Sequence, residues 1–590
     1  MVKSKMAKVV EMTKHPKVIL ISILIVAAFL RLWGLSSVPV SLFSDELDVG
    51  YQAYSMIETG KDYSGNSWPF HFQSYSDNRT PLYIYTTMPT VFVFGITPLG
   101  VRLPAAIFGI LGVWAFYLLV KELLRQRGTT QKITQNHAET IALLSAFTMA
   151  LSPWHIQYSR AAFEVTQLLF FLILGIYFFL KSLKQEKYLW LSTFCLALTP
   201  WIYSIAKLFT PLLLLFLFIA FRKEILAMSR RTLVTPLITL IVLGLPMLYV
   251  ILIGGGGTRF SYISVFTDPT VQTESEHARL LDVQFQGEQR SIVSKVTSRI
   301  VHNKLTFWVG NLVNNYLETF STNFLFIKGD INLRHSIEGV GQFYKVEAIA
   351  LMFGIIAFFV FFKDRKIKGF ILFWVMVGIV PSAITRGGGT HATRLILILP
   401  PLLFLIAYGL VEGFGLIGKG FKKWATLIYF GLWIFGFGFY MHNYWVHNPW
   451  YSERSWHAGF EKMVSDVKQM EGSYEKIIIT NAVEAPEIFF ASYYPYPPNL
   501  WQQGFKEEYI VGFGNLKGIG KYYFGQVNVE GFEVLPEVMD DSTLYVSARR
   551  EIGKNLVMDS QYTPVGLRLV NTVLYPSGEP AFYFFEKGDW

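Results

Sequence analysis

The sequence predicts a polytopic α-helical membrane protein that carries a soluble α/β domain at its C-terminal end. Three observations predict this fold class. The 590 residues are 52% hydrophobic and only 16% charged, whereas soluble domains carry about 25% charged residues. About eleven apolar runs are long enough to cross a bilayer, which takes roughly 20 residues. After residue 441, short strand-like segments replace the long apolar runs.

The apolar runs follow one another along the first three quarters of the chain. They lie near residues 18–36, 100–120, 139–155, 163–180, 187–203, 205–221, 232–253, 346–362, 369–384, 394–413 and 425–441. The runs at 187–203 and 205–221 could also form one broken element, because the loop between them is short. These runs define a transmembrane domain over residues 1–441.

The orientation follows from the basic residues. Lys and Arg are concentrated in alternate short loops, and such loops face the cytoplasm. The first run follows five lysines and has no small-residue cleavage site after it, so it is expected to be a retained signal anchor. An odd number of spans then places the N-terminus in the cytoplasm and the C-terminus outside. We expect a multi-pass plasma membrane protein.

Three segments are expected to face outward: residues 37–99, 254–345 and 442–590. The last of these contains strand-like "YEKIIIT", "TLYVSAR" and "AFYFFEK" and an amphipathic helix in "ERSWHAGFEKMVSDVKQM". It is therefore predicted to be a soluble extracytoplasmic α/β domain. It contains no glycine-rich phosphate motif, no Cys/His metal spacing and no nucleophile elbow.

An acidic pair, Asp45-Glu46, follows the first span at the outer face. Apolar and aromatic residues recur after it at helical spacing, which predicts an amphipathic helix on the membrane surface. The pair could simply stabilise the start of this helix through capping and the helix dipole. It could also supply a general base at the mouth of a membrane cavity, where a carboxylate would accept a proton.

Basic residues near the outer ends of spans are candidate anion ligands. Arg386, His391 and Arg394 crowd a glycine-rich loop, and an arginine at an outer helix start opposes both the positive-inside bias and the helix dipole. A planar guanidinium suits phosphate well. Arg79 could bind a lipid phosphate in the same way, or it could be an ordinary interfacial anchor.

Two further segments place ionisable residues at the outer face. Arg160 and Glu164 begin the fourth span, either as site residues or as a structural pair at i,i+4 spacing. Arg334 and His335 precede the eighth span. His335 and His391 could converge on a metal, but no helical histidine spacing supports this, so no metal ligands are assigned.

The order of these motifs resembles the protein O-mannosyltransferase and aminoarabinose transferase-like superfamily of GT-C glycosyltransferases. The motifs are the acidic pair, "RTPLY", "RLP", "SPWHIQYSRAAFE", "NLRHSIEGVGQFY" and "HATRLILILPPLL", and they extend over roughly residues 18–415. One difference is the second outer loop, which is too short for the MIR β-trefoil of eukaryotic members. This difference leaves the acceptor open: protein, lipid or cell-envelope glycan.

The resemblance implies an inverting glycosyltransferase that moves a hexose, such as mannose, from a polyprenyl-phosphate donor to a hydroxyl acceptor at the outer face. It implies Asp45 as the carboxylate that activates the acceptor, with Glu46 beside it. It also implies a donor-phosphate site with four basic residues, Arg79, Arg394, Arg386 and His391. Acceptor or cavity positions are expected at Tyr51, Tyr83, Arg160, Glu164, Arg334 and His335.

The resemblance implies lipid and sugar partners. They are a polyprenyl-phosphate-linked sugar, a hydroxyl-bearing acceptor and membrane lipids. No cofactor is assigned with certainty, and a divalent cation is left open. The net charge of +10 reflects topology, so no nucleic-acid partner is expected. The alternative from another functional class is a membrane transporter or lipid flippase with an accessory soluble domain, which would place ionisable groups near the bilayer midplane.

Overall fold

The structure is a computed structural model of the chain, and it describes residues 15–74, 78–125, 135–286, 292–528, 532 and 534–588. Helices dominate up to residue 451, and a sheet with flanking helices follows. The longer helices of the first part are α1 Pro16–Leu32, α2 Ser44–Thr59, α3 Pro81–Phe94, α4 Pro98–Arg125, α5 Gln135–Leu151, α6 Pro153–Ser159, α7 Val165–Ser182, α8 Leu189–Leu198, α9 Ala206–Ala220, α10 Arg230–Leu252, α11 Thr270–Gln286, α12 Ile292–Val301, α13 Lys304–Glu318, α14 Glu347–Phe361, α15 Arg365–Ala383, α16 Leu399–Val411 and α17 Lys419–His442.

A helix lies at each predicted apolar run, but not every helix meets the length of a membrane span. Six described helices are long and apolar enough to cross a membrane: Pro98–Arg125, Val165–Ser182, Arg230–Leu252, Arg365–Ala383, Ala392–Val411 and Gly420–Tyr451. Two more, α9 and α14, are apolar but shorter. Eleven crossings therefore stay a prediction. The runs at 187–203 and 205–221 form two helices, separated by a 3-10 turn at Thr199–Trp201.

Helix α2, which begins the first outer segment, is buried instead of lying on the membrane surface as the sequence predicted. Most of its residues from Glu46 to Met56 are buried. One side contacts α3 and α4, and the C-terminal domain covers the other. Across this second contact, the Tyr51 hydroxyl donates to the Tyr496 carbonyl at 2.9 Å, and the Ser492 hydroxyl donates to the Leu47 carbonyl at 3.3 Å. The C-terminal domain therefore holds the helix that carries Asp45.

The second outer segment is also largely helical. It contains α11, α12 and α13, and each of these helices shows exposed apolar side chains among polar ones. Helix α13 is anchored to the loop before α16, because the Asn315 amide donates to the carbonyls of Ala383 and Thr385 at 2.9 and 2.8 Å. This segment thus helps to shape the glycine-rich loop that holds Arg386 and His391.

The first outer segment contains a separate hairpin of two strands, β1 Phe72–Gln73 and β2 Asn78–Arg79. The C-terminal part contains seven strands, β3 Lys476–Ile479, β4 Lys506–Ile510, β5 Gly514–Ile519, β6 Tyr522–Phe524, β7 Thr543–Ala548, β8 Leu567–Leu574 and β9 Pro580–Lys587. They form one mixed sheet with the strand order β4-β5-β6-β3-β7-β9-β8. Strand β3 is apolar and buried because it lies at the centre, parallel to both β6 and β7.

The C-terminal part contains two longer helices. Helix α18 spans Phe460–Met470, and α19 spans Pro486–Tyr493. The sequence predicted the first of these helices to begin earlier, near Glu453, but Gly459 adopts a left-handed backbone (φ +95°) and starts the helix at Phe460. Helix α19 packs on α2 and α18 packs on α19, so these two helices connect the sheet to the first outer segment.

Candidate functional site

Three carboxylates from two regions of the chain surround the guanidinium of Arg79. Its Nη2 lies 2.5 Å from Asp45 Oδ1, its Nε lies 2.6 Å from Asp48 Oδ2, and its Nη1 lies 3.2 Å from Glu164 Oε1. The β1–β2 hairpin presents the arginine, and the first turns of α2 present the two aspartates. We call Asp45, Asp48, Arg79 and Glu164 the carboxylate cluster. Because the arginine is shared among three acids, the cluster is acidic in sum.

Within this cluster Asp45 is by far the most exposed residue. Its side chain is 55% exposed, whereas those of Arg79 and Glu164 are mostly buried and that of Asp48 is buried. Helix α2 begins at Ser44, and its N-cap residue Phe43 makes no side-chain capping bond. The carboxylate of Asp45 is therefore held by an arginine at a solvent-accessible position and does not serve as a helix cap.

Asp48 is the buried acid of the cluster. Its Oδ1 accepts a hydrogen bond from the Tyr63 hydroxyl at 2.9 Å. Burial raises the pKa of Asp48 to about 6, although Arg79 and the Tyr63 hydroxyl act in the opposite direction. Asp48 was not predicted as a site residue. Its position one helical turn after Asp45 was the available signal, since residues at i and i+3 share a helix face.

Glu46 lies away from the cluster, in a buried ion pair with Arg102. Its two carboxylate oxygens accept from Nε and Nη2 of Arg102 at 2.8 Å each, and Oε1 also accepts from the Ala162 backbone N–H at 2.8 Å. Both side chains of the pair are fully buried. The expected catalytic position of Glu46 beside Asp45 does not fit this geometry, because adjacent residues of a helix point in different directions.

A second cluster, which we call the histidine cluster, contains Asp330, His335 and His391. One ligand atom from each of the three residues lies within 4.8 Å of the others. The Asp330 carboxylate is oriented by the backbone N–H groups of Asn332 and Ala392, both at 2.9 Å. Two imidazoles and one carboxylate are a donor set that binds divalent transition metals, with a fourth position left for a ligand. These residues could therefore hold a cation.

Burial and two nearby arginines determine the charge state of His335 in the histidine cluster. Burial lowers the pKa of His335 to about 3, and the charges of Arg334 and Arg394 lower it further. His335 is thus neutral at physiological pH, as a metal ligand requires. Its Nδ1 lies 3.0 Å from the hydroxyl of Tyr158 and 3.0 Å from that of Thr393, which fixes the orientation of the ring.

One layer of aromatic rings joins the two clusters. The Phe163 ring, next in the chain to Glu164, has its centroid 5.4 Å from that of His335 and 5.6 Å from that of Phe43. The Arg334 guanidinium lies over the Phe43 ring at 5.0 Å. Since Phe43 precedes the first turn of α2, Arg334 and the carboxylate cluster lie on neighbouring parts of one surface.

Different settings surround three arginines, of which Arg394 and Arg386 were predicted to bind the donor phosphate and Arg334 was predicted at an acceptor or cavity position. Among the described residues, the Arg334 side chain forms a hydrogen bond only through Nε, which donates to Asn332 Oδ1 at 3.4 Å. Arg394 donates through Nη1 to Thr385 Oγ1 at 2.8 Å and to the Arg386 carbonyl at 3.3 Å. Arg386 itself bonds the Tyr262 carbonyl and lies 3.6 Å from Asp268, in the second outer segment. Arg386 is therefore engaged outside the two clusters.

Three predicted cavity residues are structural in their contacts. All five donors of Arg160 are used, on the Tyr444 hydroxyl and on four carbonyls between residues 30 and 38. Arg160 thus makes no ion pair with Glu164, and the i,i+4 alternative does not hold. Tyr51 packs against Trp501 of the C-terminal domain, and Tyr83 is buried and bonds the Val101 carbonyl at 3.3 Å.

Comparisons with known proteins give structural neighbours only. No protein-family model matches the chain, and no curated protein matches it. The chain is similar to the archaeal oligosaccharyltransferase AglB of Archaeoglobus fulgidus in complex with an inhibitory peptide and a dolichol-phosphate, at 14% identity and a TM-score of 0.45, over 80% of this chain and 63% of that chain. It is also similar to ArnT of Cupriavidus metallidurans bound to undecaprenyl phosphate, at 10% identity and a TM-score of 0.48, over 96% and 97% of the two chains.

A further neighbour is the apo form of the Archaeoglobus fulgidus oligosaccharyltransferase. It matches at 13% identity and a TM-score of 0.47, over 98% of this chain and 75% of that chain. The match covers only part of the oligosaccharyltransferase chains. This chain spans 63% of the length of the AglB complex described above and 61% of the length of the same enzyme in its complex with Zn and sulfate.

Proposed function

We propose that the chain is a GT-C type inverting glycosyltransferase that moves a sugar, a hexose such as mannose, from a polyprenyl-phosphate donor to a hydroxyl acceptor. One observation carries the proposal: the solvent-accessible carboxylate of Asp45, fixed by Arg79, adjoins a surface where Arg334 and Arg394 lie near the histidine cluster. A base and a phosphate-binding region on one rim are the parts that such a transfer needs.

In the proposed reaction, Asp45 acts as the general base. Its carboxylate accepts the proton of the acceptor hydroxyl as the hydroxyl oxygen forms a bond to the anomeric carbon. The bond between that carbon and the phosphate oxygen breaks at the same time, and the polyprenyl phosphate leaves with the bonding electrons. Attack opposite the leaving group inverts the anomeric centre. Arg79 holds Asp45 through a charge-assisted bond of 2.5 Å.

Arg79 receives a different role in this proposal from the one that the sequence suggested. Its Nε, Nη1 and Nη2 each face a carboxylate, and the acidic surroundings would repel a phosphate. We therefore assign Arg79 to positioning Asp45. We assign binding of the donor phosphate to Arg334 and Arg394. The Nη1 and Nη2 atoms of Arg334 make no hydrogen bonds among the described residues, and Arg394 donates through Nη1 to Thr385.

A divalent cation fits the same site. Asp330, His335 and His391 would hold it, because their ligand atoms lie within 4.8 Å of one another and Tyr158 and Thr393 orient the His335 ring. When bound, such an ion would neutralise negative charge on the leaving phosphate. The protein side chains supply the remaining contributions: Asp45 takes the proton, and Arg334 and Arg394 bind the phosphate oxygens.

We further propose that the site faces the outside of the plasma membrane, with the N-terminus in the cytoplasm. The concentration of Lys and Arg in every second short loop supports this orientation, because such loops face the cytoplasm. The outer segments then supply Asp45, Asp48, Arg79, Asp330 and His335, and the short loops on the same side supply Glu164 and His391. The polyprenyl tail would lie among the apolar helices, where no polar group would need desolvation.

The test is the Asp45→Asn variant, which keeps the shape of the side chain and removes the base. Membranes containing the chain are supplied with radiolabelled undecaprenyl-phosphate mannose, and transferred sugar is measured. We expect sugar transfer to fall by about 10²–10⁴-fold, while the amount of labelled donor that the membranes bind stays at the wild-type level. Glu58→Gln, an exposed acid on the same helix, is the matched control and should stay within about twofold. Activity of Asp45→Asn above a tenth of wild type would exclude Asp45 as the base.

A further inference from the structure

The connection between α17 and the C-terminal domain passes beside the proposed site. Trp456 in this connection packs edge-on against Phe43 at 5.4 Å, and the Arg102 guanidinium lies over the Trp456 ring at 5.5 Å. The next residue is His457, whose ring packs edge-on against Phe489 of α19 with centroids 5.2 Å apart. The connection is thus fixed on both sides, and His457 sits at the junction of the two parts of the chain.

His457 occupies a costly backbone conformation. Its φ is +53°, in the left-handed region that non-glycine residues rarely adopt. Its side chain is 9% exposed, and its Nδ1 is buried without a hydrogen-bond partner among the described residues. Backbone strain and an unsatisfied buried nitrogen each lower stability. Both costs fall on one residue beside the site, which argues for a role other than stability.

The ring of His457 points one nitrogen towards a carboxylate. Its Nε2 lies 3.5 Å from Glu484 Oε2, and the Glu484 side chain is 39% exposed. Burial lowers the pKa of His457 to about 4; Arg334 lowers it and Asp45 raises it. The imidazole is therefore neutral at physiological pH, and it lies close enough to Arg334 and Asp45 for their charges to affect its pKa. The contact with Glu484 is therefore a polar contact between a neutral imidazole and a carboxylate, and it places Glu484 beside a residue that the charges of Asp45 and Arg334 also influence.

We propose that Glu484, oriented by His457, is an acceptor-binding subsite that the C-terminal domain contributes to the reaction, its carboxylate accepting hydrogen bonds from hydroxyl groups of the acceptor. This inference rests on the proposed glycosyltransferase function. A part-exposed carboxylate suits hydroxyl donors because charge-assisted hydrogen bonds are the stronger ones. It also assigns a task to the soluble domain: selection of the acceptor. His457 acts as a positioning residue and not as a catalytic one.

The experiment measures the dependence of transfer on acceptor and on donor separately. Acceptor-containing membranes come from cells that lack this chain, and the donor is radiolabelled undecaprenyl-phosphate mannose. We expect Glu484→Gln to raise the amount of acceptor membranes needed for half-maximal rate by about tenfold or more, while donor retention stays at the wild-type level. Glu507→Gln, an exposed acid on edge strand β4, is the charge-matched control and should behave as wild type.

His457→Asn tests the orientation step, because asparagine tolerates a left-handed backbone. We expect the same acceptor defect with unchanged donor retention. Wild-type acceptor dependence in Glu484→Gln, or an equal loss of donor retention, would overturn the inference. If His457→Asn does not fold, Glu484→Gln alone decides. Absence of transfer by the wild-type chain would instead contradict the proposed function itself.

Discussion

Removal of the Arg102 side chain should destabilise the protein more than removal of both charges of its ion pair. In Arg102→Met, Glu46 stays fully buried without its two hydrogen bonds of 2.8 Å, at a cost of about 3–5 kcal/mol. The carbonyls of Ser41 and Pro39 also lose donors at 2.5 and 2.9 Å, each worth about 1–3 kcal/mol if it remains buried. The sum is roughly 5–11 kcal/mol, which approaches the whole stability of a typical domain.

The double variant Glu46→Met/Arg102→Met removes the uncompensated charge. It still leaves the two carbonyls and the Ala162 N–H without partners, but it should recover the roughly 3–5 kcal/mol that the lone carboxylate costs. Thermal unfolding of the purified chain in detergent, followed by tryptophan fluorescence, checks this order. We expect the wild type to be most stable, the double variant intermediate and Arg102→Met least stable.

The same pair of variants separates a structural Glu46 from a catalytic one. A double variant that folds and transfers sugar shows that Glu46 does not act on the substrate. A double variant no more stable than Arg102→Met would refute the charge argument. A folded double variant without activity, with Asp45 intact, would return Glu46 to the catalytic role that the sequence suggested.

Three other variants probe the carboxylate cluster and the proposed donor-phosphate residue Arg334. Asp48 has a folded pKa of about 6 against an ordinary 3.8, so its ionisation lowers folded stability as pH rises from about 4 to 6, by roughly 3 kcal/mol. Asp48→Asn should remove this part of the pH dependence, as measured by thermal unfolding at pH 4.5 and 7; an unchanged slope contradicts the assignment. Glu164→Gln should lower transfer about tenfold, because Glu164 helps to position Arg79. The unfolding midpoint should stay near wild type, because Arg79 keeps its ion pairs with Asp45 and Asp48; unchanged transfer would contradict this positioning role. Arg334→Gln should weaken retention of labelled undecaprenyl-phosphate mannose by about tenfold or more without changing acceptor dependence; unchanged retention would exclude Arg334 from the donor site.

The helices were predictable from the sequence because their signal is local. A run of apolar residues such as 232–253 satisfies its backbone hydrogen bonds internally, so composition and length suffice to place α10. The strands at "YEKIIIT", "TLYVSAR" and "AFYFFEK" were found for a similar reason, since β-branched and aromatic residues mark buried strands. Helix α2 was placed correctly in the chain but wrongly in space, because its cover comes from α19, more than 400 residues later.

The partners of the charged residues were not predictable in the same way. Spacing suggested that Arg160 and Glu164 pair within one helix, yet Arg160 bonds carbonyls at the end of α1 and Glu164 bonds Arg79, 85 residues away. A contact between i and i+4 is worth only a few tenths of a kcal/mol. Buried carbonyls and buried ions impose larger costs, so the tertiary structure decides which arginine meets which acid.

The burial of α2 between the helical bundle and the C-terminal domain has a consequence for how this protein can be recombined. Truncation at residue 441 would remove the residues that cover Leu47 and Tyr51, including Ser492 and Tyr496. The helical bundle alone would then expose this apolar face of α2 and aggregate. Grafting the domain onto a related bundle would require residues 44–59 to travel with it. The part that would have to be transferred therefore consists of two segments, residues 44–59 and the C-terminal domain, and most of the helical bundle lies between them in the sequence.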